Sequence, residues 1–305
     1  MKFLIIGASG FVGRHVLALA KSSGYEALGT QAHSPRPGLL PFDLLTDRIT
    51  DRVPPSFFET GQPVYAIICA VISQIDRCYR ERSISHKVNV ENTIRLIEDL
   101  RNHGTKIVFF STSFVFDGNA GNYNEQDPPH PLSEYGRQKA SVEHFIQSNP
   151  DGKLVLRLDK IVGDDPAENH LFSEWYRSMQ GNQPITCIAG QVLSPTYVGD
   201  VASGVIVACQ QGLSGLYHLA GPEIFPREEL ARQFTRAVGQ QSPIHSKSQE
   251  EFGFLDKRPL KSYLDSTRFV KATGMRFTPM RTVFNEFRQK AGIAQAGVDS
   301  AAFPY

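Results

Sequence analysis

The stretch KFLIIGASGFVG at residues 2–13 decides the fold. Residues 2–6 form a short strand, and residues 3–6 are an apolar run that is typical of a buried parallel strand. Gly7 allows a tight turn, Gly10 lets the backbone approach a pyrophosphate, and Gly13 permits close packing of the next helix on the strand. Apolar residues at helical spacing follow this turn. Strand, glycine turn and helix in this order predict a dinucleotide-binding site, with the diphosphate at the helix amino terminus.

The end of the second predicted strand, residues 26–30, indicates which dinucleotide is preferred. An acidic residue there would accept hydrogen bonds from the ribose of NAD, and this chain has none. His33 and Arg36 follow instead, which favours a 2′-phosphate and therefore NADP, with NAD possible; alternatively, both are exposed loop residues without a contact. Asp43 either accepts from an adenine amino group or caps the next segment. We expect cofactor contacts from Gly7, Ser9, Gly10, Phe11, Val12, Gly13, Thr30, His33, Arg36, Asp43 and Ala70.

The alternation of strand and helix patterns continues well beyond the glycine turn. Further apolar runs at 64–70, 107–110 and 153–158 predict parallel strands, with helical patterns between them. This alternation predicts an α/β fold with a doubly wound parallel sheet and a smaller carboxyl-terminal α/β domain over its edge. The expected division is a cofactor domain of residues 1–162 plus about 194–222, a substrate domain of about 163–193 plus 223–291, and a tail of 292–305.

Candidate catalytic side chains lie between residues 106 and 139. The strand at 107–110 delivers Ser111, Thr112 and Ser113 at its carboxyl end, and Tyr135 and Lys139 follow four residues apart. On a helix, this spacing places phenol and ammonium on one face, and a cation there would make the tyrosine a stronger acid. A hydroxyl, a tyrosine and a lysine together indicate carbonyl chemistry. The alternative, a solvated helix face, is disfavoured by the glycine turn upstream.

Composition excludes several other classes of function. The 305 residues carry a formal net charge of +1 without a block of Lys or Arg, which argues against a nucleic-acid partner. We find no apolar stretch of membrane-spanning length, so no membrane association is expected. The four cysteines lack metal-site spacing, which predicts no metal centre and a reducing cytoplasm as the location.

Taken together, these motifs resemble an extended short-chain dehydrogenase/reductase, and within it the dTDP-4-dehydrorhamnose reductases. The resemblance rests on the glycine turn, STSFVFDG at 111–118, the Tyr135 and Lys139 pair, SPTYVGD at 194–200 and RPLKSYLD at 258–265. It implies a Rossmann-like domain and NAD(P)H-dependent reduction of the C4 ketone of a nucleotide-linked 4-keto-6-deoxy sugar. In the implied mechanism Thr112 orients the carbonyl and Tyr135 donates the proton. Lys139 lowers the tyrosine pKa and holds the nicotinamide ribose, so that Tyr135 and Lys139 also contact the cofactor.

The resemblance also implies a substrate site and leaves alternatives open. Ser113, Thr196 and Arg258 are the expected substrate contacts, with the Arg258 guanidinium on the diphosphate. Ser113 stands where the family pattern STDxVF has an acid, and Asp159 and Lys160 replace a hydroxyl and an aromatic residue of the pattern RTSWVYG. One alternative is an epimerase or dehydratase of the same superfamily. Another is a non-catalytic regulatory subunit, since the chain also resembles the methionine adenosyltransferase β subunit; a homodimer is possible.

Overall fold

The computed structural model describes residues 1–33, 35–59 and 61–293. Its strands are β1 (Lys2–Ile6), β2 (Glu26–Gln31), β3 (Leu40–Pro41), β4 (Val64–Ile68), β5 (Lys106–Thr112), β6 (Lys153–Leu158), β7 (Ile161–Val162), β8 (Ile185–Ile188), β9 (Val192–Leu193), β10 (Thr196–Tyr197), β11 (Gly215–His218), β12 (Phe225–Pro226) and β13 (Ile244–Lys247).

The α-helices lie between these strands. They are α1 (Phe11–Ser22), α2 (Pro55–Phe58), α3 (Ile75–Arg80), α4 (Arg82–His86), α5 (Thr93–Asn102), α6 (Glu134–Gln147), α7 (Leu171–Gln180), α8 (Val198–Gln210), α9 (Arg227–Ala237), α10 (Thr267–Thr273) and α11 (Met280–Lys290). A π-helix, Lys87–Asn92, joins α4 to α5, and short 3₁₀ turns occur at Ile49–Asp51 and Ser113–Val115. Within the described residues, no helix has both the length and the apolar character that crossing a membrane requires.

A seven-stranded sheet in the order β11-β6-β5-β4-β1-β2-β3 organises the fold. All of its neighbouring strands pair in parallel, and every residue of β1, β4 and β6 is buried, because helices cover both faces. The predicted doubly wound sheet is therefore confirmed. The strand order reverses at β1 and β4, and ligands of such sheets bind in the crevice at the carboxyl ends of the strands there.

A separate apolar core lies outside the large sheet. It is built around α7, α9 and α11, with Phe172, Phe234 and Phe287 fully buried within it. Small two-stranded sheets, β13 with β8 and β12 with β9, border this core. Such a core supports the expected two-part organisation, whose boundaries stay a prediction. Most of the expected tail, residues 294–305, lies outside the described residues.

Several boundaries differ from the expected ones. The strand that was expected over 64–70 ends at Ile68, which leaves Ala70 in the loop after β4. A helical pattern also begins at residue 225 in the sequence, but helix α9 begins at Arg227, because Phe225 and Pro226 pair with β9 as an antiparallel strand. The helical stretch 83–100 is interrupted by the π-helix, where the buried Asn89 side chain accepts from Ile72 N at 2.8 Å.

Candidate functional site

The glycine turn is held between the carboxyl ends of three parallel strands. Gly7 has φ +85°, and a Cβ on it would lie 2.8 Å from the nitrogen of Ala70. A Cβ on Gly13 would lie 2.4 Å from the Gly7 oxygen, so helix α1 packs directly on the turn. Thr30 at the end of β2 accepts a hydrogen bond from Gly7 N at 3.0 Å. Gly10 is exposed, which leaves the amino terminus of α1 accessible to a phosphate.

Two adjoining cavities meet at this turn. Both are lined by Gly7, Gly10 and Cys69; one has a volume of about 360 Å³ and the other of about 670 Å³. Five further expected cofactor residues line the smaller cavity: Ser9, Thr30, His33, Asp43 and Ala70. The larger one is also lined by Phe11, Val12 and Gly13. The glycine turn thus separates an adenosine-sized cavity from a larger one.

Two of the polar residues in the smaller cavity also have structural roles. The Thr30 hydroxyl is engaged with the glycine turn, and Asp43 Oδ1 accepts from Leu45 N at 2.8 Å. Arg36 was expected to contact the 2′-phosphate, but it is exposed and is not among the residues that line the smaller cavity. Its backbone N–H donates to the Gln31 side chain. Of the two cationic groups expected at a 2′-phosphate, the structure brings only His33 to this cavity.

Strand β5 and helix α6 bring the candidate catalytic groups together in the larger cavity. Thr112 ends β5, and its hydroxyl hydrogen bonds to the Tyr135 oxygen. A Cβ on Gly136 would lie 2.1 Å from the Phe114 oxygen, so a glycine is needed for α6 to begin this close to the strand end. Lys139, one turn further along α6, also lines the cavity. Thr112, Tyr135 and Lys139 therefore line the same cavity as the glycine turn.

The pKa of Tyr135 differs from expectation. The sequence predicts that Lys139 lowers this pKa, and the structure has it raised. Burial raises the pKa of Tyr135 above its usual range, and the hydrogen bond with Thr112 opposes that rise. The Lys139 ammonium donates to the Phe110 carbonyl at 2.7 Å and lies over the Phe109 ring, and burial lowers its pKa to about 8. In this arrangement the phenol is fully protonated at neutral pH, as a proton donor must be.

The larger cavity has the features that a nicotinamide cofactor requires. The Ser111 hydroxyl is buried in its lining without a hydrogen-bond partner among the described residues, and Lys139 lines the same cavity. A buried hydroxyl without a partner is costly, and a polar ligand group would satisfy it. The exposed backbone at Gly10 provides space for the diphosphate. The residues present therefore fit a dinucleotide that spans both cavities.

Arg258 also lines the larger cavity. Its guanidinium stacks on the Phe254 ring at 3.3 Å and donates from Nη2 to Asp76 at 3.3 Å, while Nη1 is buried without a partner among the described residues. The loop that carries it packs against Gly118, where a Cβ would lie 2.5 Å from Pro259. Because its other contacts fix the guanidinium in place, the free Nη1 donor can bind a phosphate oxygen.

Ser113 and Asp159, which both depart from the family patterns, are in contact with each other. The Ser113 hydroxyl donates to Asp159 Oδ1 at 2.7 Å, so the acid and the hydroxyl of the family pattern have changed places. Ser194 donates to Asp159 Oδ2 from its nitrogen at 2.8 Å and its hydroxyl at 2.9 Å, and Ser262 donates to Oδ1 at 3.1 Å. Asp159 thus ties two strand ends to the segments that carry Ser194 and Ser262.

Thr196 does not reach either cavity. It is fully buried; its hydroxyl accepts from Gly221 N at 2.8 Å and donates to the Ser194 carbonyl at 3.2 Å. Both hydrogen-bonding capacities are used within the protein, so the expectation of a substrate contact is replaced by a structural role. The Thr196 side chain therefore fixes the backbone at Ser194 and Gly221 and does not bind a ligand.

Two cations in the larger cavity were not among the expected contacts. Lys160, noted only as a departure from the family pattern, lines it, and so does Arg227 at the first position of α9. A cation at a helix amino terminus opposes the helix dipole, and this mismatch is the signal that could have identified Arg227 from the sequence. Four cations and one acid line the cavity: Lys139, Lys160, Arg227, Arg258 and Asp159.

The sheet, the glycine turn and the Tyr135 and Lys139 pair define an extended short-chain dehydrogenase/reductase. More narrowly, the chain belongs to the family described as the RmlD substrate binding domain, whose profile matches residues 1–292. The expected resemblance to dTDP-4-dehydrorhamnose reductases is thereby confirmed.

Individual relatives cover nearly the whole chain. A dTDP-4-dehydrorhamnose reductase of Aggregatibacter actinomycetemcomitans is 28% identical over 95% of this chain and 99% of its own. Methionine adenosyltransferase 2 subunit beta of Danio rerio is 27% identical over 93% of this chain and 89% of its own. The crystal structure of the Bacillus anthracis dTDP-4-dehydrorhamnose reductase in complex with NADP has a TM-score of 0.81, at 22% identity over 94% of this chain and 99% of that one, which establishes the shared fold.

Proposed function

We propose that this protein is an NADPH-dependent reductase of the C4 ketone of a nucleotide-linked sugar, of the 4-keto-6-deoxy class. The observation that carries the proposal is the meeting of Thr112, Tyr135 and Lys139 in one cavity with the glycine turn and Arg258. NADP is the cofactor named for the Bacillus anthracis structure, and the absence of an acid at the end of β2 favours it here. NAD remains the second candidate.

The chemistry divides among a few groups. When bound, the reduced nicotinamide supplies a hydride to C4. Thr112 donates a hydrogen bond to the ketone oxygen, and Tyr135 passes its proton to that oxygen as negative charge develops. Lys139 holds the nicotinamide ribose, Arg258 binds the diphosphate, and Ser113 lies beside the sugar, held by Asp159. The product is the C4 alcohol, and the phenol regains its proton from solvent.

The test is a consumption assay with NADPH and NADH in parallel against a panel of nucleotide 4-keto sugars, including dTDP-4-dehydrorhamnose. We expect stoichiometric oxidation of NADPH with at least one member and slower turnover with NADH. Preference for NADH would overturn the cofactor assignment. A tightly held cofactor with no net consumption, but with interconversion of epimers, would instead support an epimerase.

A regulatory role is the second candidate, favoured by the similarity to methionine adenosyltransferase 2 subunit beta. Binding of a methionine adenosyltransferase together with an absence of NADPH oxidation across the panel would support it. Our proposal also includes a cytoplasmic location and homodimerisation, the latter to be measured by light scattering of the full chain.

A further inference from the structure

The hydroxyl of Ser113 has a fixed direction for its proton. Ser113 begins the 3₁₀ turn that follows β5, is 1% exposed, and lines the larger cavity together with its neighbour Thr112. Its Oγ lies 2.7 Å from Oδ1 of Asp159, another residue of the cavity lining. A carboxylate oxygen only accepts hydrogen bonds, so the serine hydroxyl is the donor. The single proton of this hydroxyl is therefore committed to Asp159.

The other contacts of Asp159 are also with hydrogen-bond donors. Oδ2 accepts from the nitrogen of Ser194 at 2.8 Å and from its hydroxyl at 2.9 Å, and Oδ1 accepts from the Ser262 hydroxyl at 3.1 Å. The backbone N–H of Ser194 cannot act as an acceptor. Together with Ser113, these groups donate four hydrogen bonds to two carboxylate oxygens, and none of the four requires a proton on Asp159. The direction of the bond from Ser113 is thereby fixed.

The lone pairs of Ser113 are what remains for a ligand. The bond to Asp159 is the one hydrogen bond that Ser113 Oγ makes within the described part of the chain. Thr112 differs, because its Oγ1 accepts from Phe114 N at 3.2 Å and keeps its proton for the Tyr135 oxygen or for a ketone. Two neighbouring hydroxyls in one cavity thus have opposite character, a donor at Thr112 and an acceptor at Ser113.

This opposite character matches two adjacent oxygen substituents of a sugar. Consecutive Cα atoms are about 3.8 Å apart, so a sugar whose ketone accepts from Thr112 has an adjacent carbon within reach of Ser113. In the 4-keto-6-deoxy class, the carbons next to the ketone are C3 and C5. C5 carries the ring oxygen and the methyl-bearing branch, neither of which has a proton to donate. C3 carries a hydroxyl, which can donate to Ser113.

We propose that Ser113 accepts a hydrogen bond from the C3 hydroxyl of the sugar and makes the protein selective for substrates that carry this hydroxyl. The inference rests on the proposed function, because the ketone held at Thr112 determines where C3 lies. A sugar without a donor at C3 leaves the Ser113 lone pairs unpaired in a closed site, which weakens binding.

Deoxygenated ligands test this inference without requiring turnover. Isothermal titration of the full chain with saturating NADP⁺, which has no hydride to give, would compare 4-keto-6-deoxyglucose, linked to dTDP or to UDP, with its 3-deoxy and 2-deoxy analogues. With the better-bound nucleotide, we expect loss of the C3 hydroxyl to weaken binding about tenfold and loss of the C2 hydroxyl about twofold or less. Equal affinity for the 3-hydroxy and 3-deoxy ligands would overturn the inference.

Variants identify Ser113 as the partner of the C3 hydroxyl. Ser113→Ala should bind the 3-hydroxy ligand about tenfold more weakly than wild type does and leave the affinity for the 3-deoxy ligand within about twofold. Ser262→Ala is the matched control, because it also removes a hydroxyl from Asp159, yet Ser262 does not belong to the described cavity lining. This control should keep the preference for the C3 hydroxyl.

The possible outcomes separate the inference from the function on which it rests. Equal weakening of both ligands by Ser113→Ala, or loss of the preference in Ser262→Ala, would assign Ser113 a structural role and overturn the inference alone. If Ser113→Ala folds poorly, the comparison of ligands on the wild type still decides the selectivity for C3. Failure of both the dTDP-linked and the UDP-linked 4-keto sugars to bind would contradict the proposed function itself.

Discussion

Two arginine-containing clusters in this molecule differ in whether their hydrogen bonds are satisfied. Arg157, only 1% exposed, binds Glu143 through two hydrogen bonds of 2.9 and 2.7 Å, and its third nitrogen lies 3.3 Å from His218 Nε2. In the cavity, by contrast, Arg227 and Arg258 each retain a buried nitrogen with no partner among the described residues. Every side-chain nitrogen of Arg157 has a partner within the protein, whereas the unpaired nitrogens of Arg227 and Arg258 are available to a ligand.

Breaking the Arg157 cluster should have the largest effect on folding. Glu143→Gln leaves the Arg157 charge buried without its counter-ion, and we expect a loss of about 3–5 kcal/mol in the free energy of unfolding. Urea denaturation measures it. Glu26→Gln is the matched control, because the Lys2–Glu26 pair has the Glu26 side chain 58% exposed and should contribute less than about 1 kcal/mol. Equal effects of both variants would contradict the claim that burial makes the Arg157–Glu143 pair essential to the fold.

The same cluster predicts acid sensitivity. Burial and the adjacent Arg157 guanidinium lower the pKa of His218 to about 3, from about 6.5 in an unfolded chain. Between these values the unfolded chain binds the additional proton, so stability is full above pH 6.5 and is lost as the pH falls. We expect His218 to contribute about 2 kcal/mol of destabilisation at pH 5. His218→Gln should flatten this part of the stability profile, and an unchanged profile would exclude His218 as its cause.

Removing a cation from the cavity cluster should affect ligand binding and spare the fold. Arg258→Gln should weaken nucleotide-sugar affinity about tenfold. Its free energy of unfolding should change by less than about 2 kcal/mol, since the partly exposed Asp76 loses an ion pair and Phe254 loses its stacking partner. Titration calorimetry and urea denaturation on the same preparation give both numbers. A large loss of stability with unchanged affinity would reverse the assignment of this cluster.

The smallest expected effect concerns the cation on the cofactor side. The pKa of Lys139 is lowered to about 8 by burial, so its ammonium loses the proton as the pH rises through that value. We expect NADPH to bind about fourfold more weakly at pH 8.5 than at pH 7, because the charged form is the one that holds the ribose. Lys139→Met should bind weakly at both pH values. A wild-type affinity that is constant across this range would argue against a role for the lysine charge.

The parts that could be predicted from sequence are those that local spacing determines. The glycine turn, the strands beside it and the Tyr135 and Lys139 pair each depend on residues within one turn or one strand. The Asp159 contact with Ser113 joins residues 46 positions apart, and the Arg258 contact with Asp76 joins residues 182 apart. Such long-range contacts depend on the paths of the loops at the edge of the sheet. The spacing of residues along the sequence does not predict these paths.

The same limit explains the errors at single side chains. Thr196 lies in a recognisable motif, yet its hydroxyl is used by Gly221 and Ser194. Arg36 follows β2 at a suitable distance, yet its side chain stays outside the cavity lining. A motif identifies the backbone segment, and only the folded arrangement determines which of its side chains face a ligand.

The proton transfer by Tyr135 is the claim on which the function depends most directly. The decisive measurement is the single-turnover oxidation of NADPH, followed by nicotinamide absorbance, for wild type and Tyr135→Phe with a 4-keto nucleotide sugar turned over by the wild type. We predict that the variant still binds NADPH at saturating concentration and reduces the ketone at least about 100-fold more slowly, the typical loss on removing a general acid. A variant that retains the full rate would contradict the assignment of Tyr135 as the proton donor.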